Sequence, residues 1–208
     1  MPYPDRFYPV VDSTAWVKRL AALGAGTIQL RAKDLPHADA VALVRQALAA
    51  AGSAKLVVND HWRAAIECGA QHVHLGQEDL ATADVPAIRR AGLTLGLSTH
   101  DEAELETALS HKPDYVALGP IYPTTLKVMR FGPQGLARIT QWKKRIGALP
   151  LVAIGGITLE LSAAVYAAGA DSIAVVSDIT QNSNPDARVR AWLDLAARPK
   201  LEFAGGLP

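Results

Sequence analysis

The chain has 208 residues, enough for one substantial core or at most two small domains. Half are apolar, and 21 Lys plus Arg nearly balance 20 Asp plus Glu, so the totals give no electrostatic case for nucleic acid or an anionic membrane as the main partner. The single cysteine, Cys68, excludes an internal disulfide and a cysteine zinc cage, and reads as a buried helical residue.

The opening "MPYPDRFYPVVDS" lacks a basic start followed by an apolar run. No segment reaches the roughly 18 to 20 uninterrupted apolar residues that span a bilayer, so a cytoplasmic protein is expected. The first strand is expected at "FYPVVD" (7 to 12), followed by Ser13 capping the helix "TAWVKRLAAL". A second strand, "GTIQLR" (26 to 31), leads to a helix with Pro36 in its first turn, "PHADAVALVRQALAA". Then come "KLVVND" (55 to 60), "HVHLG" (72 to 76), "LTLGLST" (93 to 99) and "YVALGPI" (115 to 121), each separated from the next by a helical pattern. The last two strands are "LPLVAIGG" (149 to 156) and "SIAVVSDI" (172 to 179), with Thr158 before the helix "LELSAAVYAA" between them. A small repeat, "LGAGTI" at 23, "CGAQHV" at 68 and "AGADSI" at 168, marks glycine-capped helix ends running into strands.

Eight strands with connecting helices fit an open doubly wound sheet or a closed (β/α)₈ TIM barrel, and the count favours the barrel. Eight units average about 26 residues each, compact but within the barrel range, and no linker splits the chain, so a single barrel domain over 1–208 is expected. The segment "PIYPTTLKVMRFGPQG" (120 to 135) is a long Pro/Gly-rich connection, the kind that serves as a lid or binding loop.

In such a barrel all strand C-termini open on one face, where active sites sit. Asp60 and Asp79 end adjacent strands, so closure brings them within reach of one ion, and two carboxylates with waters and phosphate oxygens suit Mg²⁺. Helix capping explains either acid, taken alone, at least as well. Gln29, Arg31 and Lys33 alternate at the end of the second strand and, if extension persists, face one way toward a charged ester; a solvated edge with Asp34 pairing locally is the alternative. Gly155 and Gly156, with "VVS" next door, offer backbone amides for a phosphate, or simply a tight turn. No Walker loop or dinucleotide fingerprint is present. His72 and His74 lack a ligand cluster and read as packing or hydrogen-bonding residues. Trp16, Trp62, Trp142 and Trp192 fall at helical positions and read as core packing.

Taken in order, "IQLRAKD", "VVNDH", "VHLGQEDL", "LGLSTH", "LGPIYPTTLK", "VAIGGI" and "VVSDI" closely resemble the thiamine phosphate synthase family of (β/α)₈ enzymes. The match runs from about Ile28 to Ile179. The resemblance implies a transferase that joins (4-amino-2-methyl-5-pyrimidinyl)methyl diphosphate to a thiazole monophosphate and releases pyrophosphate, by a dissociative path with Mg²⁺ as cofactor. By motif, Gln29, Arg31, Lys33 and Asn59 would hold the pyrimidine diphosphate, Asp60 and Asp79 the metal, and Ser98 and Lys127 the rest of the diphosphate pocket. Arg31, Lys33, Ser98 and Lys127 would be the catalytic set. Thr124, Gly156, Val176 and Ser177 would receive the thiazole phosphate. The family's loop commonly reads Thr-x-Thr-Lys, whereas this chain has Leu126 in place of the second Thr. A thiazole tautomerase-like barrel, or a non-catalytic sensor of thiazole or thiamine phosphate, are the competing readings.

Overall fold

Eight parallel strands pair in sequence order and the last returns to the first, closing a barrel. The computed structural model describes residues 3–124 and 131–198. The strands are β1 (Phe7–Val11), β2 (Thr27–Leu30), β3 (Lys55–Asn59), β4 (His72–Leu75), β5 (Thr94–Thr99), β6 (Tyr115–Leu118), β7 (Leu151–Ile154) and β8 (Ser172–Val175). Outside them lie α1 (Thr14–Ala22), α2 (His37–Ala51), α3 (Trp62–Glu67), α4 (Gln77–Leu80), α5 (Val85–Arg90), α6 (Glu102–Ser110), α7 (Gly135–Ile146), α8 (Ser162–Ala167), α9 (Ser177–Thr180) and α10 (Pro185–Ala196). All eight expected strands form, which settles the choice between open sheet and barrel.

Alternation along each strand sorts side chains into two cores. The outward set, including Phe7, Ile28, Leu56, Val58, Val73, Leu95, Leu97, Val116 and Ile173, packs beneath the helices. Trp142 and Trp192 are buried there, at 1% and 0% exposure, as their helical positions require. The inward set is smaller and partly polar: Tyr8, Val10, Val57, Tyr115, Ala117, Val152 and Ala174 fill the barrel, with Tyr3 packed against them. Tyr115 fits because its register partner on β5 is Gly96, where a Cβ would overlap the tyrosine ring. Tyr3 stacks on His72 at 4.6 Å, and His72 Nδ1 lies 2.7 Å from the Thr94 hydroxyl.

The helix signals hold in kind. The Ser13 side chain accepts from the Trp16 amide, and the repeated glycines Gly24, Gly69 and Gly169 all take positive φ at helix ends. Pro36 stands one place earlier than expected, as the N-cap of α2. The eighth strand is shorter than its apolar run suggests. It ends at Val175; Val176 leaves the extended region at φ −122 and ψ −84, and Ser177 opens α9.

Candidate active site

Five strands contribute to a hydrogen-bonded chain inside the barrel. Gln29 Nε2 donates to the Tyr8 hydroxyl at 2.8 Å, Tyr8 and Tyr115 share a bond at 2.9 Å, Tyr115 meets His74 Nδ1 at 2.9 Å, and His74 Nε2 meets the Ser98 hydroxyl at 2.8 Å. Burial, and then the charge of Arg31, pushes the His74 pKa down to about 3, so the ring is neutral, with one nitrogen donating and the other accepting. Burial likewise drives both tyrosines upward, keeping them as phenols. The upper barrel is therefore polar but uncharged. The hydrogen-bonding role expected of His74 is the one it has.

Above this chain the mouth holds two adjoining cavities. One, of about 400 Å³, is lined by charge: Arg31, Lys33, Asp60, Glu78, Asp79 and Glu104, with Asn59, Ser98, His100 and Phe131 among its other walls. The second, of about 580 Å³, is lined by Tyr8, Gln29 and His74 below and by Val10, Val152, Ile154, Thr124 and Val176 around its sides. Arg31, Asn59, Ser98 and His100 line both, so the two spaces meet along these four residues.

Asp60 and Asp79 meet in the charged cavity. Adjacent parallel strands deliver them: the Asp60 amide donates to the His74 carbonyl at 2.9 Å, and Asp79 lies in the first turn of α4, just past β4. Asp60 adopts φ 62, a left-handed conformation that costs an ordinary residue energy and that Asp tolerates better than most. Burial and the hydrogen-bonded Asp79 carboxyl raise the Asp60 pKa to about 6, against the pull of Lys33 and Arg31. Lys33 Nζ stands 3.9 Å from Asp60 Oδ2. Capping alone does not account for this pair, because the cap of α3 is His61 and Asp60 lies outside the helix. Two facing carboxylates repel unless a proton or a cation sits between them. Among the described residues no group of three or more His, Cys, Asp or Glu is arranged to hold a metal ion, so Asp60 and Asp79 could bind a cation only with water or substrate oxygens completing its shell.

Of the residues expected at the site, Gln29, Arg31, Lys33, Asn59, Asp60, Asp79, Ser98, Thr124 and Val176 all line one cavity or both. β2 stops at Leu30, yet Arg31 and Lys33 still face inward. Gly156 and Ser177 sit beside the second cavity while Gly155, Thr180 and Gln181 line it. Gly156 has φ +67, and a Cβ there would overlap the backbone oxygens of Tyr122 and Pro123, so the close approach of two loops requires glycine. Lys127 and Leu126 lie outside the described residues, with the rest of 125–130 in the expected 120–135 loop. Below this side of the mouth, Arg188 ties the loops after β7 and β8 together: it bonds both oxygens of Glu160 at 2.6 and 2.7 Å and both of Asp178 at 2.7 and 2.8 Å.

Several lining residues escape sequence reasoning. Tyr8 sits inside an apolar strand run, and only its inward parity could have singled it out. Gln77, whose side-chain amide donates to the Ser98 carbonyl at 2.6 Å, hides within the capping pattern. His100 and Glu104 read as a loop and an ordinary i,i+4 pair on entry to α6. Trp16, expected only to pack, also forms a wall of the second cavity, because α1 begins directly above β1.

The comparisons agree with this architecture. A family model described as thiamine monophosphate synthase matches residues 7–179. A thiamine-phosphate synthase of Rhizobium etli is 56% identical over 195 residues, covering 93% of this chain and 96% of that protein. One from Neisseria meningitidis serogroup B is 51% identical over 192 residues, covering 91% and 93%. Among solved structures, a thiamine phosphate pyrophosphorylase from Pyrococcus furiosus superposes with a TM-score of 0.79 at 23% identity, covering 96% and 97%, which bears on the fold alone. A barrel with this mouth, matched in sequence almost end to end, belongs to the thiamine monophosphate synthase family of transferases in thiamine biosynthesis.

Proposed function

We propose that the chain joins (4-amino-2-methyl-5-pyrimidinyl)methyl diphosphate to a thiazole monophosphate, releasing pyrophosphate, with the diphosphate in the charged cavity and both rings in the second. The observation that carries this reading is the Asp60 and Asp79 pair beside Lys33 and Arg31, next to a ring-sized space whose floor of Tyr8, Gln29 and His74 is uncharged. Asp60 and Asp79 would hold Mg²⁺. Bound there, Mg²⁺ would supply positive charge next to the diphosphate oxygens.

The chain's own groups divide the work. Arg31 and Lys33 face the departing diphosphate, and Asn59 and Ser98 offer it neutral donors; Lys127 is assigned to the same task by the family motif. One unit charge about 4 Å from another is worth roughly 4 kcal/mol at an effective dielectric near 20, before desolvation. The second cavity needs no protein nucleophile. Its floor of Tyr8, Gln29 and His74 is uncharged and leaves side-chain amide and hydroxyl capacity for a nitrogen heterocycle, while Arg31 and the exposed Asp12 are the charged residues among its walls. It also suits a path in which the carbon–oxygen bond breaks before thiazole nitrogen attacks, because the one carboxylate among its described lining residues, Asp12, is exposed and not part of that floor. On the far side Thr124, Val176 and the backbone near Gly156 and Ser177 would receive the thiazole phosphate.

Magnesium-dependent pyrophosphate release from the two precursors is the test. No release at substantial enzyme concentration, with and without the metal, would leave a phosphate sensor or a tautomerase-like barrel as the better reading. The carboxylate pair speaks against both, since neither needs to bind a metal diphosphate.

A further inference from the structure

His100 has no part in the carboxylate pair or in the buried tyrosine chain, yet it is one of the four residues that line both cavities. It follows β5 and is fixed from two sides. Glu104 Oε2 accepts from the His100 amide at 2.8 Å and from ring Nδ1 at 2.7 Å. One face of the imidazole lies on Phe131, with centroids 5.0 Å apart and planes inclined by 7°. Glu104 is itself seated in the first turn of α6, where its amide donates to Asp101 Oδ1 at 2.9 Å. A carboxylate only accepts, so Nδ1 carries a hydrogen and Nε2 is the nitrogen left without a partner among the described residues.

If the diphosphate and the rings occupy the two cavities as proposed above, the bond that must break lies at their junction. The groups at that junction are Arg31, Asn59, Ser98 and His100. An arginine keeps its proton, and an amide or a hydroxyl hydrogen-bonded to a neutral imidazole gives one up only at great cost. Of the four, His100 alone can transfer a proton readily.

We propose that His100 is a catalytic acid for the leaving diphosphate, held by Glu104 and Phe131 as positioning residues; this rests on the reaction proposed above. The carbon–oxygen bond breaks with its electron pair going to oxygen, and the imidazolium, which has taken a second proton on Nε2 from solvent, passes that proton to a diphosphate oxygen. The imidazole is left neutral. The thiazole nitrogen then gives its pair to the methylene carbon and takes on the positive charge, and the imidazole regains a proton from solvent once pyrophosphate leaves.

The experiment uses both substrates at saturation with magnesium. His100→Ala lowers turnover by about 100-fold while the KM for the pyrimidine diphosphate moves by less than about threefold, the pattern of a group acting in the transition state. Imidazole added to this variant restores turnover in proportion to its concentration. Glu104→Gln, which keeps the ring but loosens its hold, costs about tenfold in turnover with KM again unchanged. Turnover of His100→Ala within about twofold of the parent, a loss confined to KM, or no response to imidazole overturns the assignment. A parent protein that releases no pyrophosphate would instead sink the proposed reaction as a whole.

Discussion

Around the mouth, the arc from β2 to β5 presents Arg31, Lys33, Asp60, Asp79, His100 and Glu104, whereas the arc from β6 through β8 to β1 presents mainly glycines, peptide groups, hydroxyls and apolar side chains such as Val10, Val152 and Ile154, with Asp12 its one carboxylate among the described lining residues. The first arc works with charge carried on side chains, and the second with shape and backbone polarity. A fixed charge suits the anion that forms as a bond breaks, because its attraction grows as the charge develops. Backbone amides suit a phosphate that is bound throughout and does not react. The two arcs should therefore fail differently, the charged one in turnover and the other in substrate KM.

The largest effect is expected from Asp60→Ala or Asp79→Ala. Each should lower the coupling rate by at least about 100-fold at saturating substrates, on the scale of losing one electrostatic stabiliser. Thiazole phosphate affinity should stay near that of the parent, as titration calorimetry would read. Near-normal rates in both variants would remove the metal assignment and with it the contrast between the arcs.

That contrast also explains what could be read in advance. Asp60 and Asp79 were legible because a carboxylate at the end of an apolar run is conspicuous and because parallel neighbours must deliver their ends to one place. Gly156 was legible as a glycine but not as a contact, since only the folded loops show Tyr122 and Pro123 closing over it. The barrel followed from periodicity and count. Tyr8 and Tyr115 could not be separated from their apolar neighbours, because what makes them polar elements of the site is a meeting across the barrel, Tyr8 to Tyr115 to His74. Ser177 was misplaced in a strand because "VVSDI" continues the apolar run past the point where the backbone turns.

Between the arcs lies His74, and it offers a measurement of stability rather than rate. Its pKa falls from 6.5 to about 3, first through burial and then through Arg31. As the pH drops through that window the unfolded chain takes up a proton that the folded protein refuses, so stability declines by about 1.4 kcal/mol per pH unit. Asp60 acts in the opposite sense. Its pKa rises from 3.8 to about 6, so over that window the folded protein keeps a proton that the unfolded chain releases, and stability declines as pH rises. The parent should consequently show a muted pH response. Urea denaturation of parent and His74→Gln at pH 7.5 and pH 5 separates the two contributions, and the variant should lack a loss of about 2 kcal/mol that His74 imposes on the parent. Identical pH slopes would mean that folding leaves the proton affinity of His74 unchanged.

Gly156→Ala probes the backbone arc directly. A methyl group there meets backbone oxygens rather than a flexible side chain, so the loops after β6 and β7 must part. The KM for thiazole phosphate should rise roughly tenfold while the pyrimidine diphosphate KM hardly changes. Equal rises in both would show that the arcs are not independent.

The smallest effect, and the sharpest on detail, is that of Ser177→Ala. Ser177 begins α9 beside the second cavity but does not line it, whereas Thr180, one turn on, does. If the Ser177 hydroxyl holds the thiazole phosphate, its loss costs one hydrogen bond, roughly 1 kcal/mol, and raises the thiazole phosphate KM about fivefold with turnover unchanged. Thr180→Val is the matched control. Its hydroxyl already donates to the Val176 carbonyl at 3.2 Å, leaving only lone pairs for a ligand, and lone pairs repel phosphate. Parallel steady-state titrations of thiazole phosphate should find Ser177→Ala impaired and Thr180→Val close to the parent. The reverse order would move the phosphate anchor from the first turn of α9 to its end, where the Arg188 bonds to Glu160 and Asp178 could no longer be read as bracing the loops that hold it.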